Sequence, residues 1–152
     1  MQRSDAKILE ALQNDSAQSI ARIAEQAALS PSACHRRIRA LEQAGLIAGY
    51  GARLDPAKLG LSLVIFVEIT LTSQSREAMD RFEEAVGGFD DILECHLMSG
   101  NADYLLRVAA ADLGQYDSIH RDCLARLPGV SSMRSSFSIR SIKSWRGFPI
   151  AR

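Results

Sequence analysis

Leu29-Ser30-Pro31-Ser32-Ala33-Cys34-His35-Arg36-Arg37-Ile38-Arg39-Ala40-Leu41-Glu42-Gln43-Ala44-Gly45 decides the fold. The stretch reads as one helix with its start and stop written in. Ser30 is suited to cap the first backbone N–H groups, and Pro31 fits the first helical position. Gly45 supplies a left-handed stop. At about 100° per residue, Cys34, Ile38 and Leu41 fall on one side. Ser32, Arg36, Arg39 and Gln43 fall on the other, with His35 on the flank. The inward side is small and apolar, and the outward side carries cations and hydroxyls.

A helix laid in a DNA major groove needs such a face. Arg pairs with phosphate or bidentately with guanine, Ser bonds either, and a helix N-terminus faces phosphate. An Arg-rich helix exposed to solvent shows the same pattern, so the neighbouring sequence decides between them. Ser4 and Asp5 open a first helix with Ile8, Leu9 and Leu12 as its apolar stripe, ended by Asn14-Asp15-Ser16. Ser19 caps a second, with Ile20, Ile23, Ala24 and Ala27 on one face. The short turn Ala28-Leu29-Ser30 leads into the Arg-rich helix. Three short helices, the last two tightly joined, make a helix-turn-helix. The candidate DNA contacts are Ser19, Ser30, Ser32, His35, Arg36, Arg37 and Arg39.

Beyond Gly45, the segment Leu46 to Leu54 reads as two extended pieces around Gly49 and Gly51, the wing of a winged helix. Asp55-Pro56 is turn chemistry. The expected domains are 1–60, a helix-turn-helix with its hairpin linker, and 61–152. The second domain alternates as βαββαβ, the ferredoxin-like arrangement, and the whole chain is α+β. The strands are expected at Leu61–Thr72, Ile92–Ser99, Tyr104–Ala110 and Val130–Ile142, and the helices at Ser75–Val86 and Leu113–Leu127. One sheet face takes Leu63, Ile65, Val67, Ile69, Met133, Phe137 and Ile139 and should lie under the helices. The other mixes Val64, Phe66, Met98 and Leu105 with Glu68, Glu94, His96, Arg107, Arg134, Ser136 and Arg140. A second copy packed sheet to sheet would cover those apolar residues and pair the charges, which predicts a homodimer.

The bulk numbers agree with this reading. The 152 residues carry 18 Lys+Arg against 18 Asp+Glu, so DNA binding would depend on a local basic patch rather than a global field. The longest apolar run, Leu63 to Val67, is too short to span a membrane. The start Met-Gln-Arg-Ser-Asp has no secretory apolar core, so the expected location is the cytoplasm. Cys34, Cys95 and Cys123 are widely spaced with no CxxC, which points to free thiols and no zinc site. His120 and Cys123 sit three apart but lack further ligands. Glu94, Cys95 and His96 are adjacent, yet on a strand Cys95 points away from the other two. No catalytic motif is present, and no cofactor is expected. Arg134, Arg140, Lys143, Arg146 and Arg152 read as a solvated edge and end, and Trp145 with Phe148 and Pro149 as a patch for a neighbouring subunit.

Taken together, the sequence resembles the Lrp/AsnC (feast/famine) bacterial regulators. The carriers are Asp5-Ala6-Lys7-Ile8-Leu9, the stretch Leu29–Ser32 with Arg36–Ile47, Val67-Glu68-Ile69 and Glu94-Cys95-His96-Leu97. Ser99-Gly100-Asn101-Ala102-Asp103-Tyr104-Leu105-Leu106 and Leu127-Pro128-Gly129-Val130 complete them. The resemblance implies a transcription regulator that binds double-stranded DNA, dimerises through the ferredoxin-like domain and often assembles to octamers. It implies a small effector, usually an amino acid, bound near a Gly-x-x-Asp-Tyr loop. Here that loop is Gly100, Asn101, Asp103 and Tyr104, preceded by Met98 and Ser99. Glycine exposes backbone N–H groups that suit a carboxylate, Asp103 suits an ammonium group, and Tyr104 offers a ring and a hydroxyl. A β-hairpin turn uses the same residue types. Three positions depart from the family pattern. Ala28 stands where the family usually has Gly, Asn101 where an acid is common, and His35 is atypical. Sirohaem decarboxylase subunits share the architecture, so a tetrapyrrole enzyme using His96 and Arg107 is the rival reading. A ligand-sensing assembly protein with little sequence preference on DNA is a third.

Overall fold

The computed structural model describes residues 2–150. Its elements are α1 (Arg3–Asn14), α2 (Ile20–Ala27), α3 (Pro31–Gln43), β1 (Leu63–Leu71), α4 (Arg76–Gly87), β2 (Ile92–Leu97), β3 (Tyr104–Ala110), α5 (Leu113–Asp122) and β4 (Val130–Phe137). The chain forms two compact units. One holds residues up to Arg53 together with those from Ile142 onward, and the other is Leu54–Ser141. Where the sequence suggested a boundary at residue 60, the division thus falls between Arg53 and Leu54. The segment 142–150, expected in the second domain, packs with the first.

The first unit is the helix-turn-helix. Ile8, Ile23, Ala24, Cys34, Ile38 and Leu41 form its buried centre, with Leu12, Ile20 and Leu29 packed around them. Ser19 Oγ accepts the Arg22 N–H and Ser30 Oγ the Ala33 N–H, so the expected caps form. Gly45 takes φ +71°, the left-handed stop. Ala28 ends α2 at φ 55°, ψ 48° and is the one non-glycine with positive φ among the described residues. The expected hairpin at 46–54 does not form, because no strand pairs there. Instead the segment is held by side chains. The Tyr50 hydroxyl donates to Glu42 Oε1 at 2.7 Å, and the Arg53 guanidinium donates to the Asn14 carbonyl at 2.8 Å. Two glycines and two alanines within the five residues 48–52 offer little to pack in a ladder.

The second unit is a four-stranded antiparallel sheet in the order β2-β3-β1-β4. Ile65, Val67 and Ile69 of β1 and Tyr104, Leu106, Val108 and Ala110 of β3 alternate inward, against Phe82 and Val86 of α4 and Tyr116 and Ile119 of α5. Two ends differ from expectation. The helix from Leu113 stops at Asp122, and a 3-10 turn, Leu124–Arg126, carries the chain on. β4 stops at Phe137, so Ile139, expected inward, is 100% exposed. Phe137 caps the core edge-on to the Tyr116 ring at 5.2 Å.

Candidate nucleic-acid interface and effector loop

On α3, Ser32, His35, Arg36 and Arg39 are all exposed, and neither Arg36 nor Arg39 has a hydrogen bond or ion pair among the described residues. Arg37 is different. Its Nε donates to Asp5 Oδ1 at 2.8 Å and its Nη2 to Asp5 Oδ2 at 2.5 Å. Asp5 is buried and also accepts the Gln2 N–H. The Arg37 hydrogen bonds hold the Asp5 carboxyl below its ordinary range despite burial. Arg37 was expected to face DNA, and the structure commits its guanidinium to α1 instead. This pair sets α3 against α1, whereas the sequence marked Asp5 as a helix-start residue and part of a family motif, not as the partner of Arg37. Ser19 and Ser30 are exposed with their oxygens accepting as caps, and a capping hydroxyl keeps its proton to donate. Ser30 Oγ also lies 3.2 Å from Ser32 Oγ. The result is an open face of two unneutralised guanidiniums, an imidazole and three hydroxyls.

The loop between β2 and β3 is a closed turn. The Met98 N–H donates to the Asp103 carbonyl, and the Asp103 N–H donates to the Ile69 carbonyl, both at 2.8 Å. The Asp103 carboxylate accepts the Leu71 N–H at 2.7 Å and the Gln74 side-chain amide at 3.2 Å. Asp103 therefore fixes the loop to the end of β1. Tyr104 was expected to offer its ring and hydroxyl to a ligand. It is 1% exposed, with its ring 4.5 Å from Phe82 and its hydroxyl donating to Glu83 Oε1 at 2.7 Å. Burial first, and then the Glu83 carboxylate, push its pKa above the ordinary tyrosine value. The strand alternation that buries Leu106 and Val108 buries Tyr104 too. Met98, Ser99, Gly100 and Asn101 remain exposed, with Ala102 and Asp103 half-buried.

On the open sheet face the charges already find partners within the chain. Arg134 bonds Glu68 across β4 and β1. Arg107 Nη1 donates to Glu94 Oε1 at 2.5 Å, and His96 lies 3.4 Å from the same carboxylate. Burial raises the Glu94 pKa, but the Arg107 and His96 bonds outweigh it and leave the pKa lowered. Phe66 (39%) stays exposed beside these pairs, opposite Arg107 in the sheet, and Met98 is exposed just beyond the end of β2. No group of three metal-ligating side chains occurs among the described residues, and the three cysteines are free.

Residues 1–48 match the model of a winged helix-turn-helix DNA-binding family, and residues 64–148 that of an Lrp/AsnC ligand binding domain. A leucine-responsive regulatory protein of Escherichia coli is 39% identical over 143 residues, covering 94% of this chain and 87% of the relative. An AsnC family transcriptional regulator from Agrobacterium tumefaciens superimposes with a TM-score of 0.93 at 38% identity, covering 98% of this chain and 97% of that one. A transcriptional regulator of Neisseria meningitidis, solved as an L-Met complex, gives a TM-score of 0.92 at 32% identity, covering 98% and 96%.

Proposed function

The chain belongs to the Lrp/AsnC family of DNA-binding transcription regulators, and from that premise we propose how its parts divide the work. α3 enters a DNA major groove with Ser32, His35, Arg36 and Arg39 toward the bases and phosphates. Ser19 and Ser30 give their hydroxyl protons to phosphate while their oxygens keep the helix caps. Arg37 serves from behind, by fixing α3 on α1. The observation that carries this reading is the contrast between three neighbouring arginines. One is tied to Asp5, and two are exposed and uncompensated on the outward side of one helix.

The effector is a small molecule of the amino-acid class, which the ligand-binding family model and the L-Met-bound relative support. Its contacts on this chain are the exposed backbone of Ser99, Gly100 and Asn101 with the Met98 side chain. Asp103 shapes the loop and Tyr104 anchors it from the core. Two copies pack through the open sheet face around Phe66, and such dimers assemble further, to an octamer. Because each sheet face neutralises its own charges, apolar contact rather than charge pairing drives that dimer. The protein acts as a regulator and not as an enzyme. It works in the cytoplasm, and no helix of the described residues is long and apolar enough to cross a membrane.

The test is a gel-shift titration on the protein's own upstream DNA, run with and without a panel of amino acids, for the wild type and the Arg36→Ala/Arg39→Ala double variant. The double variant should bind at least about tenfold more weakly and lose about two from the slope of log affinity against log salt, with its oligomeric state unchanged. Unchanged affinity would remove α3 from the interface. One amino acid should shift the wild-type titration, and indifference to all of them would remove the effector reading.

A further inference from the structure

The chain passes between its two units twice, at Arg53/Leu54 and at Ser141/Ile142. Both segments that do so fasten to the C-terminal end of α1, the first at Gln13 and Asn14 and the second at Gln13. From the first, the Arg53 guanidinium donates to the Asn14 carbonyl at 2.8 Å and reaches the Gln13 carbonyl at 3.4 Å. From the second, the Gln13 side chain makes a reciprocal pair with Phe148. Gln13 Nε2 donates to the Phe148 carbonyl, and the Phe148 N–H donates to Gln13 Oε1, both at 2.8 Å. The amide side chain thus stands in for a neighbouring strand.

The seat is built for one residue. Gly147 has φ +122°, and a Cβ there would fall onto the side-chain amide of Gln13. Any side chain would strain the backbone and displace the amide that holds Phe148. Around this pair a cleft of about 850 Å3 is lined by Leu9, Leu12, Ile47 and Tyr50 on one side and Trp145 and Phe148 on the other. The two rings stack edge-on at 5.6 Å but remain 72% and 70% exposed. The segment 142–150 has no secondary structure of its own, and its hold on α1 through Gln13 is two exposed hydrogen bonds beside a largely exposed aromatic pair. Such a contact opens far more readily than the core around it.

We propose that residues 142–150 form a latch on the DNA-binding unit, with Gln13 as its catch and Gly147 as the residue that lets it close. A path of contacts leads from the catch to the recognition helix. Phe148 holds Gln13, Arg53 holds Gln13 and Asn14, and three residues before Arg53 the Tyr50 hydroxyl holds Glu42 on α3. Closing the latch fixes the segment 46–53 and, through Tyr50, the C-terminal half of α3. The closed latch is the high-affinity state for DNA, so a signal that loosens 142–150 lowers affinity without touching the DNA face. This builds on the assignment of α3 as the DNA-contacting helix.

The experiment uses the full chain with Gln13→Ala, Gly147→Ala, and the two combined. Gln13→Ala keeps a strong helix former in α1, so loss of folding does not confuse the result. Trypsin cleavage after Lys143 and Arg146 reads the latch, and titration of upstream duplex DNA reads its effect. Each single variant should be cut about tenfold faster and bind DNA about three- to tenfold more weakly, and the double variant should be no worse than the weaker single, because both act on one contact. The Arg36→Ala/Arg39→Ala protein should lose DNA binding while its cleavage rate stays at the wild-type value. If it instead keeps its DNA affinity, the α3 assignment fails and the latch has no readout through DNA. Wild-type cleavage as fast as that of the variants would show that the latch is not closed. Faster cleavage with unchanged DNA affinity would reduce it to packing. Either result overturns the proposal.

Discussion

Replacing Ala28 by Gly should stabilise the helix-turn-helix. Ala28 sits at φ 55°, ψ 48°, where Cβ crowds the following carbonyl. That conformation costs an L-residue about 1–2 kcal/mol. Glycine relieves it but adds freedom to the unfolded chain, which takes back about 0.4–1 kcal/mol. The exposed methyl contributes no burial, and the backbone bonds that close the turn do not involve it. These are the Ala28 N–H to Glu25 and the Leu29 N–H to Ala24. The net gain should be about 0.5–1 kcal/mol. Hydrogen exchange separates the units. Peptides spanning α2 and α3 should gain about two- to fivefold in protection, while β1 and β3 peptides stay unchanged. Ala24→Gly is the control, since Ala24 is buried inside α2 and should lose about 1 kcal/mol or more. An Ala28→Gly protein that exchanges faster, as the control does, would refute the strain argument.

Three further outcomes follow from the same geometry. Asp5→Asn should cost the first unit about 2–3 kcal/mol at neutral pH, measured by denaturant titration. A carboxylate whose pKa is lowered in the fold stabilises above its ordinary value of 3.8 and loses that contribution as pH falls through the lower folded value. Wild-type stability should therefore drop below about pH 4, and the Asp5→Asn variant should lack that drop; a parallel acid profile would remove the pair as its cause. Tyr104→Phe should cost about 1 kcal/mol through the lost Glu83 bond and leave the amino-acid response of DNA binding intact. Loss of the response with stability unchanged would return the hydroxyl to the ligand site. Phe66→Arg should turn the dimer into monomer by light scattering at micromolar concentration. A dimer that survives would place the interface elsewhere.

Much of this was legible in the sequence because it is local. The caps at Ser19 and Ser30, the Pro31 start and the Gly45 stop each act within a few residues, and all four are found. Alternation in β1 and β3 sorted the sheet faces for the same reason. What escaped depends on distance along the chain. Arg37 lies between the inward and outward sides of α3, and only Asp5, 32 residues away, decides which side it serves. Tyr104 carried two signals, a loop motif and a strand parity, and the parity wins because burying the ring against Phe82 outweighs exposing it in a turn. The hairpin expected at 46–54 lacked side chains able to hold a ladder. Nothing near Gly147 announces Gln13, since their meeting is a product of the fold alone.

The discontinuity of the first unit also constrains how such proteins diverge. A helix-turn-helix encoded in one continuous stretch can be exchanged between genes by a single crossover. Here the structure that must stay matched is encoded in two distant stretches, with Gln13 in one and Gly147–Phe148 in the other. A chimera that imports a foreign first half inherits a new residue at position 13 opposite an old glycine seat. Exchanging the first stretch alone breaks the match between Gln13 and Phe148, whereas a point substitution on the outward side of α3 leaves it in place.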